Sequence, residues 1–147
     1  MAACWIGVAA ARHVAVAVRD GFAMFAHGRH DAAKRILPGD RVIYYSPREG
    51  IRDGAECRKF TAVGVVEPGE PAERLMTPGQ TGWYRRMHWL DARPADVYPL
   101  LDSLSFVTDR QHWGMYFRKS LFRVNADDFS RIAAAMGVDP SILRDLS

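Results

Sequence analysis

Short apolar segments divided by turn residues constrain the fold of this chain most. Strand-like runs occupy residues 4–9, 41–46 and 60–66, and residues 83–89 alternate between two faces. Turn signals such as Asp20-Gly21 and Pro38-Gly39 separate these runs. The pattern favours an α+β fold, a small mixed β-barrel with short peripheral helices, over an alternating parallel sheet. The 147 residues predict a single domain over residues 1–147.

Three short helices are predicted around the strands. Residues 10–19 are rich in alanine and valine, and residues 31–37 allow one or two turns before Pro38. Residues 127–136 place apolar side chains at helical spacing after possible capping residues.

The remaining segments are predicted as loops, with one further strand. Residues 48–58 are charged without periodicity, and residues 67–82 are rich in proline and glycine, so both indicate loops. Gly64 within a predicted strand indicates a bulge or a close backbone approach. Residues 115–124 are predicted to form an aromatic and cationic strand.

Residues 113–124 interleave aromatic side chains with Arg118, Lys119 and Arg123. Aromatic faces stack on nucleobases and cations follow phosphates, so this composition is typical of a nucleic-acid surface. The alternative is an amphipathic strand whose aromatic side chains are core and whose cations are solvated. The net charge of +3 permits an anionic partner without requiring one.

No pattern of residues predicts catalysis. The five histidines lack zinc-site spacing, and no phosphate-binding loop or nucleophile elbow occurs, so neither a metal nor a cofactor is predicted. Cys4 is expected in the core, whereas Cys57 beside Arg58 and Lys59 leaves a reactive thiol open. No apolar run reaches the ~20 residues of a membrane-spanning helix, and no secretion signal is evident, so a cytoplasmic location is expected.

An ordered series of motifs resembles the EVE-domain family of the PUA-like superfamily, which is related to YTH domains. The resemblance extends from about Trp5 to Met136. Its motifs are Trp5-Ile6-Gly7-Val8-Ala9, His27-Gly28-Arg29, Pro38-Gly39-Asp40-Arg41, Tyr44-Tyr45-Ser46-Pro47-Arg48, Phe60-Thr61-Ala62, Tyr84-Arg85-Arg86, Pro99-Leu100-Leu101-Asp102-Ser103-Leu104-Ser105-Phe106, Trp113-Gly114-Met115-Tyr116-Phe117-Arg118 and Asp128-Phe129.

The resemblance implies a PUA-like β-barrel that reads modified nucleobases without catalysis. The partner would be nucleic acid carrying a modified base, notably modified cytosine in DNA and possibly RNA, accepted flipped into an aromatic pocket. We expect a monomer. Trp5, within the first strand, is expected in the core.

The ligand pocket is expected to be formed by residues from several segments of the chain. Its expected lining residues are Ala10, Phe22, Met24, Tyr45, Ser46, Trp83, Tyr84 and Trp113. Arg85, Arg118 and Lys119 are expected to contact phosphates. Many relatives carry Ser or Asn in place of Ala10 and Gln in place of Met24, so a less selective pocket is predicted here.

Two other functions remain open from the residues. One is a small hydrolase or transferase acting on a nucleotide or modified nucleoside, with Cys57, His27 and Lys59 as its candidate groups. The other is a small-molecule or protein-binding module whose pocket serves another anionic ligand.

Overall fold

The computed structural model describes residues 2–50, 54–139 and 141–143 of the chain. Within these residues eight strands form one sheet, in agreement with the predicted predominance of strands. The strands are β1 Cys4–Val8, β2 Phe22–Ala23, β3 Arg41–Arg48, β4 Glu56–Val66, β5 Ala72–Thr77, β6 Gln80–Trp89, β7 Ala95–Asp96 and β8 Leu121–Val124.

The sheet curls into a half-barrel with the strand order β2-β6-β4-β3-β1-β8. β5 pairs with β6, and β7 pairs with β4, off this path. β1 and β3 run parallel, whereas the neighbouring pairs β1–β8, β3–β4 and β4–β6 are antiparallel. This mixed sheet with short helices confirms the predicted α+β class.

Helices α1 Ala11–Asp20, α2 His30–Arg35 and α3 Ala126–Ala135 accompany the sheet. α1 ends where Gly21 adopts a φ of 73°, and the Gly21 N–H bonds the carbonyl of Ala17. A left-handed glycine is a common helix end, so the predicted stop at Asp20-Gly21 is confirmed. α3 begins after Asn125, whose side chain accepts a hydrogen bond from the Asp128 N–H at 2.8 Å.

Each face of the sheet has its own hydrophobic core. On one face Tyr45 and Phe60 pack with Phe129 and Ile132 of α3. The opposite core, which includes residues of α1 and α2, consists of Trp5, Val14, Ala17, Phe22, Met24, Phe25, Ala32, Ile36 and Tyr44, among others. Consecutive strand residues project to opposite faces, which sends Tyr44 and Tyr45 into different cores. The predicted core position of Trp5 is confirmed, since its relative exposure is 5%.

Three predicted segments differ from the structure. Most of residues 67–82 is not a loop, because β5 and the start of β6 form a hairpin turning at Pro78-Gly79. β5 is stabilised by its pairing with β6 and not by a buried face, since its Leu75 is 64% exposed. A strand without a buried face has no alternation of apolar and polar residues that would predict it. The predicted loop 48–58 contains the start of β4, although its residues 51–53 lie outside the described part.

The predicted strand 115–124 is helical in its first part. A 3₁₀ segment covers Arg110–Phe117, and β8 begins only at Leu121. Half-buried Trp113 and buried Phe117 lie four residues apart, a spacing that places two side chains on one face of a strand as well as of a helix, so the apolar pattern does not separate the two structures. By contrast, the close approach predicted at Gly64 is confirmed, because a Cβ there would lie 2.5 Å from the carbonyl oxygen of His88.

No helix among the described residues combines the length and the apolar character needed to cross a membrane.

Candidate functional site

A cleft of about 140 Å³ opens where β1 ends and α1 begins. We call it the α1 cleft. One side is formed by the chain from Val8 to Ala10, and Met24 and Met76 contribute an apolar wall. Its other lining residues are His13, Ala26, His27 and Ser120. The cleft therefore combines an apolar interior with a few polar groups, as small-molecule sites do.

A strained turn forms the rim of the α1 cleft. Ala26, His27 and Gly28 adopt successive positive φ angles of 50°, 57° and 79°. A Cβ at Gly28 would lie 2.6 Å from the Gly82 Cα of β6, so this backbone approach requires glycine. Non-glycine residues with positive φ cost free energy and are enriched at ligand sites. The motif His27-Gly28-Arg29 marks this turn in the sequence.

Tyr44 fixes the main chain on the apolar side of the cleft. Its hydroxyl accepts a hydrogen bond from the Met24 N–H at 3.0 Å and donates one to the Met24 carbonyl at 2.8 Å. Complete burial raises the pKa of Tyr44 well above its usual value, so the hydroxyl keeps its proton. The position of Met24 in the cleft is thus set by a buried side chain from β3.

His13 supplies a polar group of the α1 cleft that no sequence motif indicates. Burial lowers its pKa below the usual value, and the neighbouring charges of His27 and Arg74 lower it further. A neutral imidazole offers one donor and one acceptor, which suits the edge of a heterocycle. The only sequence signal was its position in the first turn of the helix that follows β1.

A groove lined by cations adjoins the α1 cleft. Ala26 and Ser120 line both the cleft and the near end of this groove. We call it the basic groove after its cations, which are Arg29, Arg35, Arg118, Lys119 and Arg123. Its far end also contains exposed or half-buried apolar surface, with Phe106 and Tyr116 in edge-to-face contact at 6.2 Å. Cations beside aromatic surface suit a nucleic-acid strand.

A second cleft, of about 230 Å³, contains aromatic residues of the core that packs against α3. We call it the Trp113 cleft. Tyr45 stacks on Phe117 with ring centroids 4.3 Å apart and meets Trp113 edge-on at 6.5 Å. Arg58 lies with its guanidinium carbon 5.9 Å from the centroid of the Trp113 ring.

A family model described as the EVE domain matches residues 3–135. The chain belongs to the EVE-domain family. A relative from Mesorhizobium japonicum, UPF0310 protein msl3206, is 39% identical over 146 residues, covering 97% of both chains. UPF0310 protein YdcG of Bacillus subtilis is 35% identical, covering 93% of this chain and 94% of the relative. Family membership supports a binding module, as the motifs predicted.

Two solved structures share the fold of this EVE domain. The crystal structure of Atu2648 from Agrobacterium tumefaciens has a TM-score of 0.58 at 11% identity, covering 93% of this chain and 94% of the other. The NMR structure of Rpa0253 from Rhodopseudomonas palustris has a TM-score of 0.57 at 16% identity, with coverages of 92% and 93%. The shared fold agrees with the predicted α+β architecture.

The residues predicted to line one pocket lie at several places in the EVE domain. Ala10 and Met24 line the α1 cleft, whereas Tyr45 and Trp113 line the Trp113 cleft. Ser46 is completely buried, and its hydroxyl is 2.8 Å from that of Thr61, so it lies in the core rather than at a pocket wall. Residues predicted to form one pocket thus lie at separate sites.

The remaining predicted aromatic residues lie on the side of β2 and β6. Phe22 meets Tyr84 edge-on at 6.0 Å, and the guanidinium of Arg74 lies 4.0 Å from the Phe22 ring centroid. Trp83 packs against His30 with ring centroids 4.0 Å apart. Phe22, Arg74 and Tyr84 line a third depression, separate from the α1 cleft, and Trp83 is not among the residues that line it.

Arg85 has a structural role in place of the predicted phosphate contact. Its residue is only 4% exposed, and its guanidinium donates to the carbonyls of Ala33 at 2.9 Å and Gly69 at 2.7 Å. Arg85 and Met87 face inward along β6, whereas Arg86 faces solvent. Of these two neighbouring arginines, Arg86 is therefore the one that is exposed. Arg118 and Lys119 are exposed in the basic groove, where phosphates could reach them.

The Cys57 thiol, one of the candidate catalytic groups, lies in an environment that does not activate it. Burial raises the pKa of the Cys57 thiol, and the nearby Glu49 raises it further. A nucleophilic cysteine requires a lowered pKa, so this environment opposes the reactive form. Among the described residues no group of three or more His, Cys, Asp or Glu could hold a metal ion.

Proposed function

We propose that this EVE domain binds nucleic acid and accepts a flipped pyrimidine, with modified cytosine as the leading candidate, in the α1 cleft. The observation that carries the proposal is the direct connection between a ring-sized cleft and the basic groove through Ala26 and Ser120. A flipped base needs an enclosing pocket, and the phosphates beside it need cations. The two surfaces provide these in adjacent positions.

The size of the α1 cleft favours a single ring. Its volume is about 140 Å³. An apolar cavity of about 150 Å³ engineered in another protein admits benzene. A pyrimidine is one six-membered ring, whereas a purine adds a fused second ring. The cleft is therefore matched to the smaller base.

The chemistry of the lining predicts how the base would be recognised. His13 and the hydroxyl of Ser120 offer hydrogen bonds to the polar edge, while Ala10, Met24 and Met76 offer apolar contact to a substituent such as a methyl group. An apolar wall discriminates by only ~1–3 kcal/mol per methylene. We therefore propose a preference based on shape, weaker than that of relatives with polar residues in place of Ala10 and Met24.

Filling the α1 cleft tests the proposal. Ala10 is the residue before α1 and is half-buried, so Ala10→Phe places a ring in the cleft without replacing a buried side chain. We expect the variant to bind a short DNA carrying one 5-methylcytosine at least about tenfold more weakly, a loss of about 1.4 kcal/mol. Fluorescence anisotropy with the labelled DNA measures the change.

The matched control for this experiment is Ala15→Phe, which adds the same ring to an exposed position of α1. It should bind the DNA as the wild-type protein does. Equal binding by Ala10→Phe and the wild type would exclude the α1 cleft as the base site.

The basic groove predicts a steep dependence of DNA affinity on salt. Each phosphate neutralised contributes a slope of about −0.7 to −0.9 to log K against log salt. Lys119→Gln should remove about one phosphate contact, so the slope of log K against log salt becomes less steep by the amount of one contact. Its binding to all sequences should weaken alike. Lys34→Gln, which removes an exposed cation from α2, serves as the control with an unchanged slope. A slope near zero for the wild type would contradict the role of the groove.

A further inference from the structure

The Trp113 cleft has the composition of a site for a planar anion. Its apolar surface comes from Tyr45, Trp113 and Phe117. Arg48, Glu56 and Arg58 add a formal charge of +1 to the same lining. The volume of about 230 Å³ exceeds the roughly 150 Å³ that holds one benzene ring. The Trp113 cleft is thus larger than the α1 cleft, and it combines an aromatic surface with a net positive charge.

The hydroxyl of Tyr45 is the feature that points to a ligand. Tyr45 lines the cleft, and its hydroxyl makes no hydrogen bond to the described residues 2–50, 54–139 and 141–143. Burial raises the pKa of Tyr45, so the hydroxyl retains its proton and remains a donor. Because the hydroxyl lines the open cleft, it is a free donor that an acceptor atom of a bound ligand can occupy.

Arg58 is held over the aromatic residues at a conformational cost. It adopts a φ of 53°, although it lies within β4 and is not glycine. Its guanidinium bonds the Tyr98 hydroxyl and pairs with Glu56 at 3.0 Å, which keeps it 5.9 Å from the centroid of the Trp113 ring. Strained residues of this kind concentrate at ligand sites. The cation is therefore fixed beside the cleft before any ligand arrives.

We propose that the Trp113 cleft is a second binding site, for a purine nucleotide. The two-ring base packs against Trp113 and Phe117, and the Tyr45 hydroxyl donates a hydrogen bond to an acceptor on the base. Arg48 and Arg58 face the phosphate. This site is independent of the α1 cleft, because the residues lining the two clefts are different. The nucleotide can be free or part of a strand, since both carry the same base and phosphate.

A titration of the full chain with adenosine monophosphate tests this proposal. We expect the indole N–H resonance of Trp113 to shift and saturate in NMR spectra, with weaker binding of cytidine monophosphate and of adenosine without phosphate. Tyr45→Phe removes only the hydroxyl and should weaken binding roughly three- to tenfold. Tyr84→Phe, a matched change outside the cleft, should bind as the wild type does.

The outcomes separate this proposal from that for the α1 cleft. Ala10→Phe, which fills the α1 cleft, should still bind adenosine monophosphate with wild-type affinity. If this variant no longer bound the nucleotide, the Trp113 cleft would not be an independent site. An unmoved Trp113 resonance at millimolar nucleotide, or wild-type affinity of Tyr45→Phe, would also overturn the proposal. A short single strand containing one adenine among thymines identifies the source. If the strand binds more tightly than free adenosine monophosphate, the natural ligand is a nucleotide within a strand. If the strand binds more weakly, the natural ligand is a free nucleotide. Either result supports a nucleotide site in the Trp113 cleft.

Discussion

Gly28→Ala is expected to lower the free energy of unfolding by about 2–5 kcal/mol. The φ of 79° at this position costs an alanine roughly 1–2 kcal/mol. The added Cβ would also lie 2.6 Å from the Gly82 Cα, and overpacking of this kind costs roughly 1–3 kcal/mol. Because neither backbone can move without disturbing the turn 26–28, the α1 cleft should lose ligand affinity as well. Urea unfolding measures the stability.

Gly39→Ala is the matched control for this prediction. Gly39 has a similar φ of 87°, but a Cβ there would meet no atom within 4 Å. The control should therefore lose only the conformational part, roughly 1–2 kcal/mol. Equal losses for the two variants would show that the approach of Gly28 to Gly82 does not constrain the fold.

Asp40→Ala is expected to destabilise the domain by about 3–5 kcal/mol, since hydrogen bonds to a charged group contribute roughly 1.5–3 kcal/mol each and are not fully additive. The Asp40 carboxylate is buried and accepts from the Trp5 indole N–H at 2.9 Å. It also accepts from the N–H groups of Ala3 and Leu37, both at 3.0 Å. The alanine leaves three donors without their acceptor. Thermal and urea unfolding measure the loss.

Asp127→Ala controls for the removal of an acidic side chain. Asp127 is exposed in the first turn of α3, where its interaction with the helix dipole is typically 0.3–1 kcal/mol, so its loss should cost no more than about 1 kcal/mol. A loss for Asp40→Ala as small as that for Asp127→Ala would contradict the anchoring role. The motif Pro38-Gly39-Asp40-Arg41 thus encodes a turn together with the acceptor that fastens β1 and α2.

Segments whose apolar pattern matched their burial could be predicted from sequence. β1, β3 and β4 contain runs that are buried in the sheet, and α3 places Phe129 and Ile132 on its buried face. β5 could not be predicted, because it is stabilised by pairing with β6 while its large apolar side chains remain exposed. The 3₁₀ segment could not be predicted, because aromatic residues are common in both strands and cores and the four-residue spacing of Trp113 and Phe117 fits a strand and a helix alike.

The candidate site was predictable only in part. The resemblance to the EVE-domain family grouped Ala10 with Met24, and both residues line the α1 cleft. Sequence order could not reveal that Tyr45 faces the other core, nor that Arg85 turns inward, because both depend on the register and face of a strand. His13 was missed because its role comes from its environment rather than from a motif.

An NMR titration with a short DNA carrying one 5-methylcytosine tests the central claim most directly. If the flipped base enters the α1 cleft, the Met24 methyl and the amides of Ala9 and Ala10 should shift and saturate together with signals of Arg118 and Lys119. The same strand with unmodified cytosine should produce smaller shifts at Met24. Shifts confined to the basic groove, with Met24 and Ala10 unchanged at saturation, would contradict a base site in the α1 cleft.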